Sequence, residues 1–199
     1  EGGAITTNDE KLYRHLMRLR THGITRDPEE MVHPTDALWY NEQVELGFNY
    51  RMTDFQAALL LSQLKKLPMF RARRKEIKKR YDEAFGKMPE LILQKEIPES
   101  DTTWHLYVLH LNLENLNCDR RQFFDALYAE HTCPQVHYLP VYWHSYYEKL
   151  GYKKGLCPNA EKYYNEVMSI PLYYGLTDDD VEDVIHAVKK VVAYYTKLK

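Results

Sequence analysis

Glu45-Leu46-Gly47-Phe48-Asn49-Tyr50-Arg51-Met52-Thr53-Asp54-Phe55-Gln56 carries a polar and aromatic loop directly into the start of a helix. Thr53 and Gln56 have the spacing of a capping box, in which a hydroxyl takes the N3 amide and the N3 side chain returns to the cap. Ala57, Leu60, Leu61, Leu64 and Leu67 then recur at helical spacing and are expected to form a buried face. Pro68 reads as a kink, or as the first residue of a second helix running to about residue 85.

On the N-terminal side, Ala4-Ile5-Thr6-Thr7 predicts a short strand closed by Asn8-Asp9. Asp9 can cap a helix over 10–20, striped by Leu12, Leu16 and Leu19 and stopped by Gly23. Residues 24–47 read as irregular, punctuated by Pro28, Pro34 and Gly47, with Trp39 and Tyr40 as aromatic anchors. A connection of that length in a compact domain is usually functional or disordered.

On the C-terminal side the character changes after Gly86. Strands are expected over 91–97, 104–113 and 135–142, and helices over 119–130, 159–168 and 177–195. Thr177 caps the last helix, with Asp178, Asp179 and Asp180 at its positive end. A boundary near residue 86 divides the chain into a helical remnant of a larger domain (1–86) and a small α+β domain (87–199).

The 27 Lys and Arg against 29 Asp and Glu leave no excess of positive charge for a general nucleic-acid binder. The basic run of Arg71, Arg73, Arg74, Lys75, Lys78, Lys79 and Arg80 reads first as a solvated helix face and only second as a phosphate-binding patch. No stretch has the apolar length of a membrane span, and no signal peptide is visible. Cys118, Cys133 and Cys157 are an odd set, which favours a reducing cytoplasm over a disulfide scaffold. Glu1-Gly2-Gly3 reads as the middle of a longer chain rather than a translation start.

Gly-rich phosphate loops, G-x-S-x-G and paired Cys-x-x-Cys are all absent. His131, Cys133, His137 and His144 are a weak metal set, and Cys133 with His137 a weak nucleophile pair lacking a third partner. No metal site and no catalytic residue is assigned. Gln135-Val136-His137-Tyr138-Leu139-Pro140-Val141-Tyr142 mixes donors, acceptors and aromatic faces in a way that suits a polyhydroxylated ligand, although a half-exposed strand explains it as well.

An ordered set of segments resembles the DegT/DnrJ/EryC1/StrS family of pyridoxal-phosphate (PLP) sugar aminotransferases. They are Glu1-Gly2-Gly3-Ala4 with Thr6-Thr7-Asn8-Asp9, Arg20-Thr21-His22-Gly23, residues 45–54 and Gln56-Ala57-Ala58. Further on come Arg73-Arg74-Lys75-Glu76-Ile77, His105-Leu106-Tyr107, Gln135-Val136-His137-Tyr138, Ser169-Ile170-Pro171-Leu172 and Gly175-Leu176-Thr177-Asp178. Within the family, Ile24-Thr25-Arg26-Asp27-Pro28 and Trp39-Tyr40-Asn41-Glu42-Gln43 resemble the PseC-type branch of UDP-4-amino-4,6-dideoxy-N-acetyl-beta-L-altrosamine transaminases, which serve pseudaminic acid biosynthesis.

The resemblance implies an α/β fold of PLP fold type I (aspartate aminotransferase-like), with this chain supplying the C-terminal part of the large domain plus the small α+β domain. It implies a cytoplasmic homodimer with shared active sites, and UDP-sugar and glutamate as substrates. It makes Asn49 and Arg51 cofactor-binding candidates, Asn49 reaching the PLP phosphate of the neighbouring subunit. His137, Tyr138 and His22 become substrate-binding candidates. In the family the Schiff-base lysine lies a few residues before the Gly-Gly, so the chain as given is expected to be inactive alone. Two other readings stay open: a non-catalytic module binding nucleotide sugar or a partner, and a dehydratase of the same fold with histidine in place of that lysine. Pro68 and Cys133-Pro134 depart from the family pattern.

Overall fold

The computed structural model describes residues 2–197. The chain divides into two compact units, Glu1–Lys65 and Lys66–Lys199.

In the first unit, α1 (Glu10–Leu19) starts where expected: the Asp9 carboxylate accepts from the Lys11 and Leu12 amides. The chain then reverses at His22 and Gly23, both at positive φ, into β1 (Ile24–Thr25), which pairs antiparallel with β2 (Glu42–Gln43). Most of 24–47 is irregular, as its prolines predict. Residues 4–7 form no strand, because a strand needs a partner for its alternate amides and none is present among the described residues. The capping box of Thr53 and Gln56 opens α2 (Asp54–Leu64). The expected buried face of α2 is absent: the helix buries no residue, and Leu60, Leu61 and Leu64 are exposed.

The second unit opens with α3 (Leu67–Phe85), and Pro68 occupies its first turn, where a missing amide hydrogen costs nothing. Ile77, Tyr81 and Phe85 are buried in the core of this unit. The unit therefore begins about twenty residues before the change of sequence character near 86, because Tyr81 and Phe85 pack edge-on against Tyr107, further along the chain. A three-stranded antiparallel sheet is built from β3 (Leu91–Ile92), β4 (Tyr107–Leu111) and, later in the chain, β5 (Val167–Ile170), in the order β3-β4-β5. Between β4 and β5 come α4 (Arg120–Ala129), α5 (Ser145–Lys149) and α6 (Pro158–Glu166). Asp119 and Gln122 give α4 its own capping box.

Residues 135–142 do not form the expected strand. Gln135 bridges to Ser169, after which Pro140 lacks a donor and the chain turns through a 3-10 segment at Val141–Trp143. Residues 167 and 168, expected at the end of a helix, instead open β5, whose four side chains are all buried. α7 (Asp178–Tyr195) closes the unit with a Thr177–Asp180 capping box and buries Val181, Val184, Ile185, Val188, Val191 and Val192 against Leu109, Phe123 and Leu127. Tyr81 donates to the Pro171 carbonyl at 2.9 Å, and Tyr107 donates to Asp82 at 2.9 Å. Burial pushes both phenols well above their ordinary range, so they remain neutral donors.

Candidate functional site

The first unit builds a narrow clasp between residues 19–23 and 47–50. The Phe48 amide donates to the Leu19 carbonyl at 2.6 Å, the His22 amide to Phe48 at 2.8 Å and the Tyr50 amide to Arg20 at 3.0 Å. The two backbones approach so closely that only glycine fits at two positions. A Cβ on Gly47 would lie 2.5 Å from the His22 carbonyl carbon, and one on Gly23 would lie 2.7 Å from that of Glu45.

Charge pins the clasp from behind. Glu45 accepts from Arg18 Nε at 2.8 Å and faces His15 Nε2 at 2.7 Å, while Arg18 also reaches Glu30 at 2.9 Å. Arg18, then His15, hold the Glu45 carboxyl below the usual carboxylate range despite its partial desolvation. Sequence reading missed Glu45, Arg18 and Glu30 as a group. Their separations of 27 residues and less follow no local periodicity, and only the fold brings them together.

The clasp presents three of the expected residues together at an exposed surface. Arg51 Nε donates to Asn49 Oδ1 at 3.0 Å, and the Arg51 NH2 group lies 3.3 Å from His22 Nε2. Among the described residues, no acceptor lies on Asn49 Nδ2. That amide is thus a free donor pair, the chemistry a phosphate oxygen needs.

The other two expected residues sit in the second unit. The His137–Tyr138 peptide is cis. His137 Nε2 lies 2.9 Å from the Ser169 hydroxyl, while its Nδ1 is buried and unpartnered. Ser169 exchanges both backbone hydrogen bonds with Gln135, at 3.0 and 2.7 Å, which ties this residue to β5. Tyr138 is exposed, its ring edge-on to His137 at 4.8 Å.

Elsewhere in this unit, Glu161 gathers a loop that sequence reading did not single out. Its Oε1 accepts from Tyr142 at 2.6 Å, Trp143 Nε1 at 3.3 Å and the Gly155 amide at 2.5 Å. Tyr142, the Gly155 amide and Trp143 lower its carboxyl, and partial desolvation with Glu161 pushes the Tyr142 hydroxyl up to about 12. Among the described residues, no group of three or more His, Cys, Asp or Glu side chains is arranged to hold a metal, and no helix is long and apolar enough to cross a membrane.

A family model described as the DegT/DnrJ/EryC1/StrS aminotransferase family matches residues 1–189. The chain belongs to the DegT/DnrJ/EryC1/StrS aminotransferase family. The spore coat polysaccharide biosynthesis protein SpsC of Bacillus subtilis is 40% identical over 194 residues, covering 96% of this chain and 50% of SpsC. A UDP-4-amino-4,6-dideoxy-N-acetyl-beta-L-altrosamine transaminase of Campylobacter jejuni is 34% identical over 195 residues, covering 96% and 49%. The PLP form of the putative sugar aminotransferase Spr1654 of Streptococcus pneumoniae superposes with a TM-score of 0.78 at 25% identity, covering 96% and 46%.

The family and the α/β aminotransferase fold implied by the sequence are thereby established, with pyridoxal phosphate as the cofactor the family uses. The chain spans about half the length of the curated relatives it matches. Asn49, with two uncommitted amide hydrogens on an exposed clasp, fits the phosphate end of that cofactor.

Proposed function

We propose that the chain is the C-terminal portion of a PLP-dependent nucleotide-sugar aminotransferase that moves an amino group from glutamate to a UDP-linked 4-keto-6-deoxyhexose. The observation that carries the reading is the family match along residues 1–189, joined to the free amide of Asn49. The Campylobacter transaminase, 34% identical, supports the sugar class. SpsC, at 40%, favours a second reading in which a different nucleotide-linked sugar is aminated for a surface polysaccharide.

In this enzyme, the first unit belongs to the large domain, and the second, opening with α3 as a connecting helix, carries the small domain. When bound, the cofactor supplies an electron sink for breaking the bond to the donor's α-hydrogen. Asn49 holds the phosphate through its amide hydrogens, reaching the cofactor of the neighbouring subunit in a homodimer. Arg51 adds positive charge beside it. His137 and Tyr138 face the sugar nucleotide; Tyr138 offers a ring and a hydroxyl, His137 a ring anchored to Ser169. The protein works in the cytoplasm, where UDP-sugars are made.

The test is to isolate the protein from its native host, reconstitute it with PLP and add glutamate. Bleaching of the cofactor band, followed by amination of a UDP-4-keto-6-deoxy sugar, is the expected result. A chain that binds no PLP, or carries histidine where the lysine belongs, sinks the aminotransferase reading.

A further inference from the structure

Asn49 can serve a phosphate only if its amide is turned the right way. The two ends of a carboxamide are nearly the same shape, and an Asn side chain free to flip spends part of its time with the oxygen, which cannot donate, turned outward. Arg51 removes that freedom. A guanidinium only donates, so the atom 3.0 Å from Arg51 Nε must be the amide oxygen, and the NH2 is left facing outward. The same logic extends to the next contact. His22 Nε2 lies 3.3 Å from the Arg51 NH2 and can accept from it through the Nε2 lone pair.

The backbone supports this relay at both ends. His22 sits at φ 60°, and Gln43 Nε2 donates to its carbonyl at 2.9 Å. Its amide is bound to Phe48, one residue before Asn49. Arg51 therefore spans two side chains whose main chains are already tied to each other.

We infer that Arg51 and His22 are positioning residues: His22 accepts from Arg51, Arg51 fixes the carboxamide of Asn49, and Asn49 alone touches the phosphate. This rests on the proposed reading that Asn49 binds the cofactor phosphate. It replaces the roles expected from the resemblance, giving Arg51 no direct contact with the cofactor and His22 none with the sugar.

The experiment uses the full-length protein and measures the PLP dissociation constant for wild type, Asn49→Ala, Arg51→Met, His22→Asn and the Asn49→Ala/Arg51→Met double variant. Asparagine is chosen at position 22 because it tolerates positive φ. Backbone circular dichroism confirms that each variant folds. Arg51→Met is expected to weaken PLP binding about three- to tenfold, the range of one hydrogen bond. The double variant should be no weaker than Asn49→Ala, because a residue acting through another has nothing further to lose. His22→Asn should cost less than Arg51→Met.

Losses that multiply in the double variant mean that Arg51 meets the phosphate itself, and the relay is overturned. A normal PLP affinity for Arg51→Met beside a weakened Asn49→Ala overturns it too. A parallel readout monitors the Arg51 Nε–H resonance in protein labelled with nitrogen-15 arginine. The relay predicts slow exchange with water in wild type, fast exchange in Asn49→Ala and restored slow exchange in Asn49→Asp, which keeps the acceptor oxygen. If Asn49→Ala leaves PLP affinity intact, the phosphate reading of Asn49 fails, and the exchange data alone decide whether the relay exists. Fast exchange in wild type overturns it.

Discussion

Gly47 lies against Gly23 so closely that a Cβ on Gly47 would stand 2.9 Å from the Gly23 Cα and closer still to its nitrogen. The contact is backbone on backbone, so no side-chain rotation relieves it. Gly47→Ala is expected to push residues 47–51 off the 19–23 segment and to cost about 1–3 kcal/mol, the scale of an over-determined strained position. Urea denaturation of the full-length protein measures the loss. The same variant should retain less PLP after gel filtration, since Asn49 sits two residues on.

Asp178 gives a pH dependence whose sign can be worked out. Arg73 Nη2 and Arg80 Nη1 donate to Asp178 Oδ1 at 2.8 and 2.7 Å at the start of α7. These guanidinium groups, Arg73 foremost, hold its carboxyl below the usual range. A depressed carboxyl stabilises the folded state above its unfolded value, about 3.9 for aspartate, and loses that effect as the pH falls through the lower folded value. Asp178→Asn is therefore expected to be less stable than wild type at neutral pH and to converge with it in strong acid. The carboxylate is largely exposed, so the difference should be small and should shrink further in high salt. Thermal melts across the acid range at two salt concentrations provide the comparison.

Those outcomes show which parts of the molecule local chemistry determines. The helix starts at Asp9, Thr53 and Thr177 were legible because a cap lies within one turn of the amides it accepts from. The apolar stripe of α7 is buried because its partners belong to the same unit. The strand expected at 4–7 and the buried face expected on α2 were misread because periodicity reports an apolar face and not the element that covers it. Residues 135–142 failed for the opposite reason: alternation suggested a strand, but β5 offers a bridge only at Ser169. Asn49, Arg51 and His22 were singled out through family resemblance, and their mutual contacts arise only once the clasp folds. Glu45 and Glu161 were invisible because each binds groups brought to it by folding.

Glu161 offers a direct test of that last group. One carboxylate oxygen holds Tyr142, Trp143 and the Gly155 amide. Glu161→Gln removes the charge that strengthens these bonds while keeping an acceptor. The Tyr142 hydroxyl, now up at about 12, should titrate closer to its ordinary value of 10. Gly155 amide exchange should quicken severalfold, since charge-assisted bonds are roughly twice as strong as neutral ones. Ring resonances of Tyr142 against pH, with amide exchange at Gly155, test both parts. Unchanged exchange would mean the loop is held by its aromatic packing, Trp143 against Tyr164 at 5.5 Å, instead of by the carboxylate.

The exposed face of α2 carries the final expectation. Phe55 is 83% exposed and Leu61 62%, with Leu59, Leu60 and Leu64 also open, on a helix that buries nothing. Apolar surface of this kind associates when it meets a partner. The 199-residue chain expressed alone should therefore sediment as an oligomer, or lose solubility as its concentration rises. Leu61→Glu places a charge in the middle of the face, and a charge is costly to bury without a partner. It should shift the distribution toward monomer without lowering helix content, because glutamate is a good helix former and the site makes no core contact. An unaltered sedimentation profile for Leu61→Glu would locate the association elsewhere, at the equally exposed Trp39 and Leu46.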